Sequence, residues 1–183
     1  MKVAVISDIH ENFNNLLRAM DIMRQRGVEK ILCLGDFIHP GIVKVLVESD
    51  IPVYSIWGNN DGDKVTIVKM SLSEGSSLEL GDKTYAAVEI DGRKIFLTHY
   101  PDLALPVARS GMYDIVFYGH DHLKNEDQAE KCPIVNPGEL SANKTKTATF
   151  AIYDTVSNKY EFVEVDNVVT LTSGYVEDYF ARS

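Results

Sequence analysis

Val3-Ala4-Val5-Ile6-Ser7-Asp8-Ile9-His10 opens the chain with an unbroken apolar run that ends in an acid and an imidazole. A short run without polar alternation is expected of a strand buried on both faces. The pattern recurs. Residues 31–34 run into Gly35-Asp36, residues 51–57 into Gly58-Asn59-Asn60-Asp61, residues 94–98 into His99, and Ile115–Tyr118 into Gly119-His120-Asp121-His122. In open α/β folds, ligands bind beyond the carboxyl ends of the strands, so residues far apart in sequence can converge there.

The intervening segments fit that frame. Leu16, Leu17, Met20 and Met23 recur at helical spacing, and Gly27 stops the helix. Pro40 suits the first turn of a helix carrying Val43, Val45, Leu46 and Val47. Strands alternating with helices at this spacing predict βαβ units and a parallel sheet. Further on, Leu78–Leu80, Tyr85–Ile90 and residues 94–98 read as strands, with Asp91-Gly92 as a hairpin turn. A helix is predicted over residues 102–110. Residues 134–135, Thr149–Asp154 and residues 160–165 complete a second strand-rich half. The expected fold class is α/β, a two-layered mixed β-sheet core flanked by helices. Residues 1–165 form one domain in this reading. The tail 166–183 carries Val168, Val169, Leu171, Tyr175, Tyr179 and Phe180, and is expected to dock on this chain or to form an oligomer contact.

A chain of 183 residues can bury a substantial core, and 45 % hydrophobic residues exclude a disordered chain. The net charge of −9 argues against non-specific binding to nucleic acid or to an anionic membrane. An anionic substrate stays open, because a bound metal reverses the local field. The two cysteines give no disulfide framework and no CxxC; Cys33, inside an apolar run, reads as a small buried hydrophobe. The opening run reaches Asp8 too soon for a signal peptide, and no apolar stretch is long enough to span a bilayer. A cytoplasmic protein without membrane association is therefore expected.

Four of the five histidines lie in the strand-end motifs. Each motif alone has an ordinary explanation. Asp8 and His10 could be a turn acid and a surface histidine, Asp36 a helix cap, Asn59 a left-handed turn residue, and His99 a satisfied strand-end imidazole. In extended backbone the i, i+2 spacing of Asp8/His10 and of His120/His122 puts both side chains on one side. It is their joint occurrence after successive buried strands that points to a metal site.

The order Asp-x-His, Gly-Asp, Gly-Asn-x-Asp, His and Gly-His-x-His resembles the signature of the calcineurin-like metallophosphoesterases. The segment Asn136-Pro137-Gly138-Glu139 and the compact length are most similar to the small phosphodiesterase subgroup, whose fold the retromer scaffold subunit shares. The resemblance runs from Met1 to about Val165. It implies an α/β/β/α sandwich and two divalent ions, manganese foremost, with Fe, Co, Ni or Zn as alternatives. One ion would be held by Asp8, His10, Asp36 and His122, the other by Asp36, Asn59, His99 and His120. Two such ions outweigh Asp8, Asp36 and one hydroxide in charge, leaving a net positive site suited to phosphate. Activated hydroxide would then attack phosphorus in line.

Three further residues enter with the resemblance. Asn12 is expected to contact substrate or to cap the first helix. Asp61 is expected to orient the ligands from behind. Asn60 stands where many of these phosphatases carry a histidine acid, and an amide cannot serve as one. Asn60 and His39 are therefore the candidates for the leaving-group side, with His39 either an acid, a substrate contact or a loop residue before Pro40. The expected function is a metal-dependent phosphodiesterase acting on a small phosphoester. A phosphomonoesterase or nucleotide hydrolase, and a non-catalytic protein-binding scaffold of the same fold, are the alternatives.

Overall fold

A computed structural model describes residues 1–166 of the chain. The first half contains β1 (Lys2–Ile6), α1 (Phe13–Arg26), β2 (Lys30–Cys33), α2 (Pro40–Val47), β3 (Val53–Ser55), α3 (Lys64–Ser71) and β4 (Leu78–Leu80). The second contains β5 (Tyr85–Ile90), β6 (Arg93–Thr98), α4 (Ala104–Arg109), β7 (Ile115–Tyr118), β8 (Asn125–Ala129), β9 (Cys132–Asn136), β10 (Thr149–Asp154) and β11 (Lys159–Glu164). A six-stranded sheet has the order β11-β10-β1-β2-β3-β4, and a five-stranded sheet has the order β5-β6-β7-β9-β8. β1 to β4 are parallel to one another, as are β6, β7 and β9. The remaining pairings are antiparallel.

The strand period of two sorts the core into layers. In β1, Ala4 and Ile6 face the cluster under α1 and α2, whereas Val3 and Val5 face the other sheet. Ile31 and Cys33 divide from Leu32 and Leu34 in the same way. In the second sheet, Ile95, Leu97, Ile115 and Phe117 turn inward, while Phe96, Val116 and Tyr118 meet Ala104 and Ala108 of α4. The result is helices, sheet, sheet, helix, which is the expected sandwich. Strands covered on both faces must be apolar throughout, which is why β1 and β7 read as unbroken runs.

Local signals act where expected. Gly27 ends α1 in the left-handed conformation at φ 68°, returning N–H bonds to Arg24 and Met23. Pro40 opens α2. The helix predicted over residues 102–110 is a 3-10 turn, Pro101–Leu103, continued by α4. Two elements were not anticipated, α3 and β8. Cys33 is buried, and burial pushes its thiol up to about 12, so it is an inert core residue. No helix among the described residues is long and apolar enough to cross a membrane. The docking expected of the tail falls beyond residue 166, outside the described residues.

Phe117 is fully buried between the sheets, with its ring edge-on to Tyr153 at 5.9 Å between centroids. Phe117→Ala should lower stability by about 3–5 kcal/mol in a urea titration. A loss below about 1 kcal/mol would mean that the two sheets are not close-packed there.

Candidate functional site

Each motif named from the sequence follows the carboxyl end of a parallel strand. Asp8 and His10 follow β1, Asp36 follows β2, Asn59 to Asp61 follow β3, His99 follows β6, and His120 and His122 follow β7. The two sheets present these ends to one another. His120 N–H donates to Asp8 Oδ2 at 3.0 Å, and His99 Nδ1 bonds Leu34 O at 2.8 Å, both from one sheet to the other. All seven candidate ligands are thus brought together.

The local backbone corrects one expectation. Asp8, His10, Asp36, His120 and His122 all have positive φ, from 42° to 76°. The i, i+2 pairs converge through left-handed turns and not through extended chain, at a cost of roughly 1–2 kcal/mol per residue. Two glycines permit the close approach. A Cβ at Gly58 would strike the Asp36 carboxylate, and one at Gly119 would strike Ser7 Oγ.

The contacts fall into two groups. Asp8, His10 and His122 form one, and Asp8, Asp36 and His99 form another. His10 Nε2 lies 3.6 Å from Asp8 Oδ1 and 3.3 Å from Asp36 Oδ2, and His122 Nε2 lies 3.5 Å from Asp8 Oδ1. His99 Nε2 lies 3.6 Å from Asp36 Oδ1, so Asp36 offers one oxygen to each side. Asn59 Oδ1 stands 2.8 Å from His99 Nε2 and 2.8 Å from His120 Nδ1. The His10 and His122 rings stack at 4.8 Å.

Proton accounting shows that these residues fit metal ions. Bonding to the Leu34 carbonyl places the His99 proton on Nδ1, so a neutral ring turns the Nε2 lone pair toward Asn59 Oδ1, another acceptor. His122 Nδ1 donates to Glu139 Oε2 at 2.6 Å, which turns its Nε2 lone pair toward Asp8 Oδ1. Among the described residues, Asp8 Oδ1 and His10 Nε2 are buried with no hydrogen-bond partner. Acceptors that face acceptors need a proton or a metal ion between them, and this donor set accommodates either. At metal–ligand bonds of about 2.0–2.2 Å, neighbouring ligand atoms stand roughly 3–3.5 Å apart, close to the spacings here. The field has the same sign. Burial works to raise the Asp8 carboxyl, but His10 and Ser7 outweigh it and hold the group below the ordinary range. Burial works to lower the His10 imidazole, and Asp8 and Asp36 raise it above its ordinary value.

The supporting residues are specific. Asn60 donates to both Asp36 oxygens, from its backbone N–H at 2.9 Å and from Nδ2 at 2.8 Å. Asp61 gathers N–H groups from Asp36, Ile38 and Gly58, tying the β2 loop to the β3 loop. Asn12 Oδ1 caps α1 through Asn15 N, and its Nδ2 donates to Ser141 O at 2.8 Å. His39 caps α2, with Nδ1 accepting from Gly41 N at 2.9 Å. Tyr100 sets its ring edge-on to both His99 and His120. Glu139 is the residue that sequence reasoning missed. Burial would raise its carboxyl, but hydrogen bonds from His122, Ser141 and Thr145 hold it at about 2. The signal was an acid soon after the end of β9, the same pattern as Asp8 and Asp36.

Residues 1–158 match the calcineurin-like phosphoesterase superfamily domain. The phosphodiesterase MJ0936 of Methanocaldococcus jannaschii is 30 % identical over 168 residues, covering 91 % of this chain and all of that protein. The solved structure of an archaeal phosphodiesterase superposes with a TM-score of 0.80 at 28 % identity, over 90 % of this chain and 99 % of that one. Vps29 of Entamoeba histolytica shares the fold, with a TM-score of 0.62 at 18 % identity over 90 % and 99 % of the two chains. The chain belongs to the calcineurin-like phosphoesterase superfamily. It is a metal-dependent phosphoesterase.

The Glu139 carboxyl ionises at about 2 against an ordinary 4.5, so its stabilisation is present above 4.5 and is lost as pH falls toward 2. In chelator-containing buffer, the stability gap between the wild type and Glu139→Gln should therefore shrink through this window. A gap that stays constant or widens in acid would contradict the assignment.

Proposed function

We propose that the chain is a phosphodiesterase for small phosphodiesters with acidic leaving groups, acting through two divalent ions that share Asp36. Asp8, His10, Asp36 and His122 would hold one ion, and Asp36, Asn59, His99 and His120 the other. The observation that carries this reading is the Asp36 carboxylate, with one oxygen beside His10 and the other beside His99. Divalent ions, when bound, supply Lewis acidity and a strong nucleophile from water at neutral pH. Mixed oxygen and nitrogen donors suit manganese and its neighbours better than calcium.

The chain's own residues prepare the site. Asn60 fixes the Asp36 carboxylate in its plane, and Asp61 holds the two loops that carry Asp36 and Asn59. Asp8 and His99 are fully buried, whereas Asn59 is exposed and His10 and His120 are half-buried, so substrate would reach the site past these three residues. Asn60 spends its amide on Asp36 and cannot protonate a leaving group. Diesters whose leaving groups depart as stable anions need less of that help. The capping bond at His39 Nδ1 leaves the proton of the neutral ring on Nε2, and through it His39 would assist poorer leaving groups. Asn12 is assigned to holding the Ser141 loop beside the site.

The deciding assay uses metal-stripped protein, added Mn²⁺, an activated phosphodiester and its monoester analogue. Metal-dependent turnover favouring the diester is expected. Bound metal without turnover on either ester would favour the scaffold reading, which the Vps29 fold makes the second choice. Asp36→Asn should cut turnover by on the order of 100-fold or more and weaken ion binding, since even outer partners of ligands cost 10–100-fold; normal turnover would overturn the shared-ligand assignment. His39→Ala should slow poor leaving groups selectively. Equal loss across leaving groups would assign His39 to positioning.

A further inference from the structure

We infer that Glu139 is a positioning residue that sets the tautomer of His122 and supports only one half of the ligand set, so that the two ions bind with unequal affinity. This rests on the two-ion reading above. Glu139 is 1 % exposed. Its Oε2 lies 2.6 Å from His122 Nδ1 and also accepts from Ser141 Oγ and from Asn143 N at 3.2 Å. Its Oε1 accepts from Lys144 N at 2.9 Å, Thr145 N at 2.7 Å and Thr145 Oγ1 at 2.9 Å. Both oxygens are filled, so Glu139 is not itself a ligand. An ionised carboxylate only accepts, and this obliges His122 to carry its proton on Nδ1 and to present Nε2 toward Asp8 Oδ1. An amide or a hydroxyl in that place could donate as well, and would leave the tautomer undetermined.

The same segment is sewn to the opposite sheet. Leu140 N–H bonds Ser7 O, Ser141 N–H bonds Asp8 O, and Asn12 Nδ2 bonds Ser141 O. Glu139 therefore holds His122 in register with Asp8, and His10 stacks on His122. None of these bonds reaches Asn59, His99 or His120. On that side the orienting acceptor for His99 is the neutral Leu34 carbonyl. A carboxylate partner raises the basicity of its imidazole, and a carbonyl does so less. The ion on the Asp8–His10–His122 side is therefore the tighter of the two.

The test is Mn²⁺ titration by calorimetry on the metal-stripped full chain, together with the nitrogen-15 spectrum of the metal-free histidines. The wild type should take up two ions at unequal affinity and show His122 as the Nδ1–H tautomer. Glu139→Gln should weaken the tighter ion by about 10–100-fold, leave the second nearly unchanged, and alter the His122 tautomer. Thr145→Val removes a bond to the other Glu139 oxygen and should leave both affinities nearly as they were. Equal weakening of both ions in a folded Glu139→Gln, or no weakening, overturns the inference. An Nε2–H tautomer at His122 in the wild type overturns it without any variant. Uptake of a single ion by the wild type, with His122 as Nδ1–H, overturns the two-ion reading and the unequal pair, while supporting the positioning role.

Discussion

Lone pairs held close to one another in a largely buried cleft are the constraint on which the site depends. Asp8 Oδ1 and His10 Nε2 are buried without partners among the described residues, and His99 turns an acceptor nitrogen toward Asn59 Oδ1. Each unpaired buried acceptor costs about 1–3 kcal/mol. Left-handed backbone at Asp8, His10, Asp36, His120 and His122 adds to that cost. The protein tolerates both because two sheets and three apolar clusters fix the strand ends. A cation in the same place turns the destabilising feature into a binding energy.

The architecture explains why this is feasible. Parallel strands send their carboxyl ends to one rim, and two stacked sheets bring two such rims face to face. Asp8, Asp36 and Asn59 come from one sheet, and His99, His120 and His122 from the other. The oxygen donors thus lie on one sheet and, apart from His10, the imidazoles on the other. Bonds that cross the gap, from His120 N–H to Asp8 and from His99 to Leu34 O, keep the halves in register. Glu139, which orients His122 while its segment is bonded to the Asp8 loop, belongs to the same set of ties.

Much of this was legible in the sequence, because strands buried on both faces write themselves as apolar runs and the polar residues closing each run are conspicuous. What was hidden has physical reasons. α3 buries only Ile67 and exposes Val65 and Val68, so it carries no clean helical stripe. β8 is an edge strand, Asn-Glu-Asp-Gln-Ala, mostly exposed and without alternation. An i, i+2 spacing fits extended chain as well as a left-handed turn, so the conformation at Asp8 and His10 could not be read from spacing. Glu139 lay within a segment that marked the family resemblance, and its bond to His122 exists only once β7 and β9 are paired.

The proposed function requires two cations in the cleft that share Asp36. Anomalous diffraction at the manganese edge, from crystals of the protein grown with Mn²⁺, tests it directly. The account predicts two peaks, one contacted by Asp8, His10 and His122 and the other by Asn59, His99 and His120, with Asp36 touching both. A single peak, or two peaks with Asp36 bound to only one, would contradict it.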